Sequence, residues 1–157
     1  MILHPAVVVH GLEHVRTAMR PGRPVTLLSS PGAARFAGCL WWRGLIEQGR
    51  AEFPATAADD VLDCGAAPGR AMAALRVGQR LLLLDPACPA FPAVAAAAAA
   101  IGATVLADRP AAFDLAAPGA GRLLPAWLAP ARLADAPLAD APLADAPLAD
   151  DRTGPLG

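Results

Sequence analysis

The sequence predicts an α/β protein whose mainly parallel sheet, of about five strands, has helices on both faces and so forms three layers. Three observations predict this class. Short apolar runs of strand length alternate with stretches of helical periodicity. One such run, residues 81–84, consists only of leucine, which is typical of a central parallel strand covered on both sides. A polar residue also lies at or just beyond the carboxyl end of each strand-like run.

The chain begins with a strand, a helix and a second strand. Residues 6–9 are a short, mainly β-branched run and form the first predicted strand. Residues 12–19 place apolar side chains at helical spacing, and the Pro-Gly pair at 21–22 ends this helix. Residues 25–28 are the second predicted strand.

A longer helix is predicted over residues 31–50, with Trp41 on its buried stripe and Trp42 beside that stripe. An exposed Trp42 would mark a partner surface. Phe36 is expected to anchor the core, and Gly38 is expected to weaken the helix locally.

The same alternation continues to residue 115. The predicted strands are 61–64, 81–84 and 104–106, the predicted helices are 70–77 and 90–101, and 113–115 is a short sixth strand or an ordered coil. Parallel strands joined by right-handed crossovers favour a flavodoxin-like or Rossmann-like winding. The alternative is an incomplete barrel that pairs with a second copy.

The composition divides the chain into three parts. Residues 1–117 form the α/β domain, residues 118–130 a Pro/Gly-rich connector docked on it, and residues 131–157 a low-complexity tail. The tail repeats the pentapeptide Ala-Pro-Leu-Ala-Asp three times over residues 136–150. A proline every five residues forbids a continuous helix, so we expect the tail to be disordered.

Charge and cysteine usage exclude several classes of function. All 13 basic residues are arginines and the net charge is −1, so no basic stripe indicates nucleic-acid binding. Cys39, Cys64 and Cys88 lack the spacing of a disulfide framework or a zinc site, and we expect free thiols and no metal. No signal peptide or membrane-spanning run is recognised, which predicts a cytoplasmic protein without membrane contact.

The polar residues at the carboxyl ends of the predicted strands are the main indication of a site. They are His10, Ser29, Asp63, Asp85 and Asp108. Ligands of open parallel sheets bind beyond the carboxyl ends of the strands, so these residues are expected to share one rim. A hydrolase would need His10, Ser29 and Asp63 to converge.

The sharpest motif is Val-Leu-Asp-Cys-Gly-Ala-Ala-Pro-Gly at residues 61–69. It resembles the first motif of class I S-adenosylmethionine-dependent methyltransferases, and the resemblance covers about residues 59–115. It implies that Asp63, Gly65 and Gly69 lie near the methionine part of the cofactor. Asp85 would then receive the ribose hydroxyls, and Asp108 the adenine amine.

The sequence therefore supports two hypotheses. In the first, the domain is non-catalytic and binds a small ligand at the carboxyl ends of the strands or associates with itself; no catalytic residue is assigned. In the second, it is a methyltransferase-like protein that binds an S-adenosylmethionine-type nucleotide cofactor. The identity of the ligand is left open.

Overall fold

The computed structural model describes residues 4–129. Its elements, in chain order, are β1 (Ala6–Val9), α1 (Leu12–Met19), β2 (Val25–Ser29), α2 (Ala33–Phe36), α3 (Cys39–Glu52), β3 (Ala58–Asp63), α4 (Pro68–Arg76), β4 (Leu81–Leu83), α5 (Phe91–Ala100), β5 (Thr104–Leu106), β6 (Ala112–Asp114) and α6 (Ala120–Trp127). None of these helices has the length and apolar character needed to cross a membrane. The predicted tail, 131–157, lies outside the described residues.

The strands form one parallel sheet in the order β5-β4-β3-β2-β1-β6. The predicted α/β class, with a parallel sheet in the Rossmann-like and flavodoxin-like group, is confirmed, and β6 brings the number of strands to six. Strands β1 to β5 follow one another along the sheet, whereas β6 pairs with the opposite edge of β1. The strand order therefore reverses at β1.

Two clusters of buried side chains lie on opposite sides of the strands. The larger includes the buried residues of all six helices of the described chain together with strand residues such as Val7, Leu27 and Leu62. The smaller consists of the intervening strand residues Val8, Leu28, Val61 and Leu83. Right-handed crossovers that step in one direction along a sheet carry their helices to the same side. This explains why α1 to α5, which connect β1 to β5, share the larger core.

The helix predicted over residues 31–50 is two helices, and this difference changes which side chains are buried. Gly38 has φ of +86°, a conformation that interrupts a helix and that glycine adopts without strain. The helix after Gly38, α3, therefore buries a different set of side chains from the one that a continuous helix over residues 31–50 would bury. Trp42 is fully buried, whereas Trp41 is 42% exposed and Phe36 is 73% exposed. The prediction of a buried Trp41 was wrong for this reason. The prediction of a core Phe36 was also wrong, because Phe36 ends the short helix α2, whose buried residues are Ala33 and Ala34.

Helices α1 and α3 approach closely at Gly49. A Cβ atom on Gly49 would lie 2.4 Å from Cγ1 of Val15 and 3.1 Å from the sulfur of Met19. Only glycine fits this crossing without movement of its neighbours. By contrast, Gly44 in the same helix has no atom within 4 Å of its Cβ position.

Helix α6 follows β6 and packs against the start of the sheet. Its Leu124 is buried, and the ring of Trp127 stacks on Phe113 with 5.8 Å between ring centroids. The indole N–H of Trp127 donates a hydrogen bond to the carbonyl oxygen of Ala6 at 2.9 Å. These contacts hold residues 120–127 against β1 and β6.

Candidate functional site

A cavity of about 250 Å³ opens at the carboxyl edge of the sheet, between the ends of β3 and β4. Asp63 is the last residue of β3 and pairs in register with Leu83 of β4. The lining residues are Asp63, Gly65, Leu83, Leu84, Asp85, Pro86, Ala107 and Arg109. Two acids and one arginine thus border a mostly apolar floor.

Asp63 is only 8% exposed, and both oxygens of its carboxylate are engaged. Oδ1 accepts hydrogen bonds from the backbone N–H groups of Gly32 at 3.0 Å and Gly65 at 2.8 Å. Oδ2 accepts from Nη1 of Arg109 at 2.5 Å. Asp63 therefore joins the loop after β2, the turn after β3 and the β5–β6 connection.

Buried hydrogen bonds also hold the residues around Asp63. The hydroxyl of Ser29 accepts from the backbone N–H of Asp63 at 2.9 Å and donates to the carbonyl oxygen of Ser30 at 3.3 Å. Arg109 uses Nη2 to donate to the carbonyl oxygen of Ser29 at 2.7 Å. The Arg109 guanidinium is thus fixed by one carboxylate and one carbonyl.

The turn after β3 needs glycine at position 65. Gly65 has φ of +54°, and a Cβ there would lie 3.6 Å from the Cα of Gly32. Its carbonyl oxygen accepts from the backbone N–H of Asp85 at 2.9 Å. This bond ties the Gly65 turn to the end of β4, so that both face the same cavity.

Asp85 differs from Asp63 because only one of its two carboxylate oxygens accepts a hydrogen bond from the described chain. The residue is exposed, and Oδ1 accepts from the backbone N–H of Ala87 at 2.9 Å. Within residues 4–129, no hydrogen bond to Oδ2 is present. Asp85 is the acid of this cavity that retains an open acceptor.

The five residues predicted to contact a ligand fall into two groups. Asp63, Gly65 and Asp85 line the cavity. Gly69 is the second residue of α4 and Asp108 is exposed in the connection to β6; neither lines it. Arg109 is a lining residue that the sequence does not single out, because its partner Asp63 lies 46 residues earlier.

Comparisons with known proteins do not assign a family. No protein-family model matches the chain, and no curated protein matches it. The function must therefore be inferred from the geometry of the described residues.

Cys64 lies directly after Asp63 and is buried. Its burial, together with the negative charge of Asp63, raises the pKa of the thiol to about 12. A thiol with such a pKa is protonated at neutral pH and is a poor nucleophile. Cys64 is therefore a packing residue of the motif.

A second polar cluster lies at the same edge, where β1 and β6 pair. Nε2 of His10 lies 2.8 Å from Oδ1 of Asp114, and the backbone N–H of His10 donates to Nδ1 of His14 at 3.4 Å. The two imidazole rings meet edge to face, with 5.5 Å between centroids. The sequence does not indicate Asp114 as the partner of His10, because the pairing depends on β6 lying beside β1.

This arrangement shifts the acid–base equilibria of two members of the cluster. Partial burial, followed by the charge of His10, lowers the pKa of His14 below its usual value, although Asp114 opposes this. Burial alone would raise the pKa of Asp114, but hydrogen bonds from Ala116 and His10 and the charges of both histidines lower it. His10 pairs with Asp114 and Ser29 binds Asp63, so the convergent Ser29–His10–Asp63 set of a hydrolase is not formed.

Metal binding finds no support in the part of the chain that the structure describes. No group of three or more His, Cys, Asp or Glu side chains there is arranged to hold a metal ion.

Proposed function

We propose that this domain binds a small hydroxylated or aminated organic molecule in the carboxyl-edge cavity and does not transform it. The observation that carries the proposal is the carboxylate of Asp85, which borders the cavity with one oxygen open. A carboxylate oxygen accepts hydrogen bonds from hydroxyl or ammonium groups. Leu83, Leu84 and Pro86 supply apolar contact for the carbon skeleton of the ligand.

Binding without catalysis is favoured by the state of the remaining polar groups. Asp63 is engaged by two backbone N–H groups and by Arg109, and the hydroxyl of Ser29 is buried in its own hydrogen bonds. A general base or nucleophile must be able to reach the substrate. Asp63 borders the cavity but both of its oxygens accept protein hydrogen bonds, and Ser29 is not a lining residue. Their bonds instead make the walls rigid.

The size of the cavity limits the ligand. Sites for drug-sized molecules occupy roughly 300–1,000 Å³, whereas this cavity has a volume of about 250 Å³. A monosaccharide or a nucleobase matches that space better than a complete dinucleotide does.

The second candidate function is binding of an S-adenosylmethionine-type cofactor. It is supported because Asp63, Gly65 and Asp85, to which the methyltransferase resemblance gives cofactor roles, border the same cavity. Two features weigh against it. The Asp63 oxygens already have protein partners, and Gly69 and Asp108 do not line the space.

Calorimetric titration of the full chain distinguishes the two candidates. D-ribose, adenosine and S-adenosylhomocysteine are the probes. The first candidate predicts binding of ribose or adenosine that Asp85→Asn weakens by roughly tenfold or more, because one charge-assisted hydrogen bond contributes about 1.5–3 kcal/mol. The matched control Asp108→Asn removes the same charge from an exposed acid outside the lining and should leave affinity unchanged.

The second candidate predicts that S-adenosylhomocysteine binds much more tightly than adenosine. Gly69→Arg should then abolish binding while the domain remains folded, because there is open space at the Cβ position of Gly69. Absence of binding by ribose and adenosine at millimolar concentration, or equal affinity in the native chain and Asp85→Asn, would overturn the first candidate.

A further inference from the structure

The side chain of Arg35, in α2, lies beside the carboxyl-edge cavity, although Arg35 is not one of its lining residues. Its Cδ atom is 3.7 Å from the position that a Cβ atom of Gly65 would occupy and 3.8 Å from the corresponding position of Gly32. Gly65 itself lines the cavity. Because the guanidinium group is joined to Cδ by a single bond, it lies next to the Gly65 turn.

The charge of Arg35 is not balanced by the described chain. The residue is exposed, and within residues 4–129 its guanidinium has no hydrogen bond and no ion pair. By contrast, the guanidinium of Arg109 is engaged by Asp63 and by the carbonyl oxygen of Ser29. Arg35 is therefore an arginine next to the cavity whose N–H donors are open to a ligand.

Only backbone separates the cavity from Arg35 at position 65, because glycine has no side chain there. The turn is held on both sides. The N–H of Gly65 donates to Oδ1 of Asp63 at 2.8 Å, and its carbonyl oxygen accepts from the N–H of Asp85 at 2.9 Å. A ligand bound at Asp85 can therefore extend over a rigid backbone surface towards Arg35.

Charge and size together indicate which substituent extends in this direction. The charged lining residues are two acids, Asp63 and Asp85, and one arginine, Arg109, so the lining has a net charge of −1. An anionic group on the ligand would be repelled by this lining unless a further cation received it, and Arg35 is such a cation. The cavity volume of about 250 Å³ suits a monosaccharide or a nucleobase, so a larger substituent must lie outside the cavity.

We propose that the ligand of the carboxyl-edge cavity carries a phosphate group, which lies over the Gly65 turn and is bound by Arg35. A guanidinium presents paired N–H donors that match two phosphate oxygens. The ligand class is thus a phosphorylated monosaccharide or a nucleoside monophosphate, with a hydroxyl group on Asp85. This inference rests on the proposed function for the position of the hydroxylated part and adds Arg35 as a second, independent contact.

The test is calorimetric titration of the full chain with D-ribose, D-ribose 5-phosphate and inorganic phosphate. Ribose 5-phosphate should bind roughly tenfold or more tightly than ribose, because it gains a charge-assisted interaction. Since Arg35 is exposed, this preference should shrink when the salt concentration is raised from about 0.02 M to about 0.5 M. Inorganic phosphate lacks the hydroxylated part and should bind roughly tenfold or more weakly than ribose 5-phosphate.

Substitutions at position 35 separate the charge from the packing of the side chain. Arg35→Met keeps an apolar stem beside Gly32 and Gly65 and removes the guanidinium. Ribose 5-phosphate should then bind no more tightly than ribose, because the remaining lining is negative, whereas the affinity for ribose should not change. Arg35→Lys retains the charge and should keep most of the preference for the phosphorylated sugar.

Arg20→Met is the matched control. Arg20 is also exposed, but it follows the last residue of α1, which leads away from the carboxyl edge of the sheet to the amino end of β2. This variant should leave the affinities for ribose and for ribose 5-phosphate unchanged.

The outcomes distinguish failure of this inference from failure of the proposed function. Equal affinities of the native chain for ribose and ribose 5-phosphate, with ribose binding still weakened by Asp85→Asn, would overturn the phosphate contact and leave the proposed function standing. If neither sugar binds at millimolar concentration, both proposals fail. An undiminished preference for ribose 5-phosphate in Arg35→Met, with the circular dichroism spectrum of the native chain, would overturn the role of Arg35. Inorganic phosphate that binds as tightly as ribose 5-phosphate would overturn the ligand class.

Discussion

Replacing Asp63 by asparagine should destabilise the domain far more than the same replacement at Asp85. The introduced side chain keeps an oxygen for the N–H groups of Gly32 and Gly65, but its amide nitrogen would face the Nη1 donor of Arg109 across a 2.5 Å contact. The lost charge-assisted hydrogen bond is worth about 1.5–3 kcal/mol. Arg109 has a 29% exposed side chain and regains part of its hydration, while two donors are left facing one another. We expect a net loss of about 2–3 kcal/mol.

Asp85→Asn is the matched variant. Its amide oxygen still accepts from Ala87, and the residue is exposed, so the stability change should stay within about 0.5 kcal/mol. Urea denaturation followed by circular dichroism measures both free energies of unfolding. Equal free energies of unfolding for the two variants would refute the assignment of Asp63 as the structural acid of the site.

Three other predictions concern packing, pH and thiol chemistry. In α3, Gly49→Ala should destabilise the fold by about 1–3 kcal/mol, because the added Cβ would overlap the side chain of Val15. Gly44→Ala in the same helix should instead stabilise the fold by about 0.5–1 kcal/mol. Similar free energies of unfolding for the two variants in urea denaturation would contradict the close helix crossing. Because the pKa of Asp114 is lowered in the folded state, its ionised carboxylate stabilises the fold above the unfolded-state pKa, and this stabilisation is lost as the pH falls through the folded-state pKa. In thermal unfolding from about pH 6 to about pH 2.5, the Tm of Asp114→Asn should therefore decrease less than the Tm of the native chain. Parallel curves of Tm against pH for the two proteins would count against this. With a pKa of about 12, only about one part in ten thousand of the Cys64 thiol is ionised at pH 8, so a thiol reagent should label Cys64 only after denaturation. Rapid labelling of Cys64 in the native protein, located by mass spectrometry, would contradict this prediction.

The sequence predicts the alternation of strands and helices well because this fold repeats local patterns. The β-branched run Ala6–Val9 and the helical spacing in Leu12–Met19 are recovered with the observed bounds. The roles of Trp41 and Trp42 are exchanged because the pattern extends the buried stripe through Gly38 as if one helix continued. A glycine with positive φ resets the helix direction, and no periodicity on its own shows that it will.

The sequence predicts only those residues of the site that lie at the carboxyl end of a strand. Asp63, Gly65 and Asp85 lie at the carboxyl ends of β3 and β4. These strands are neighbours in the chain and in the sheet, so the convergence of the three residues could be expected. Arg109 reaches Asp63 from the connection between β5 and β6, across the sheet. Asp114 meets His10 only because β6 pairs with β1. Both contacts depend on strand order, which local patterns do not encode.

Amide chemical shift mapping of the full chain locates the ligand most directly. On addition of D-ribose or adenosine, the largest changes should fall on the amides of Gly65, Leu84 and Asp85, and they should disappear in Asp85→Asn. If these amides stay unmoved at saturating millimolar concentrations, or if the changes persist unaltered in the variant, then the open carboxylate between β3 and β4 does not bind the ligand.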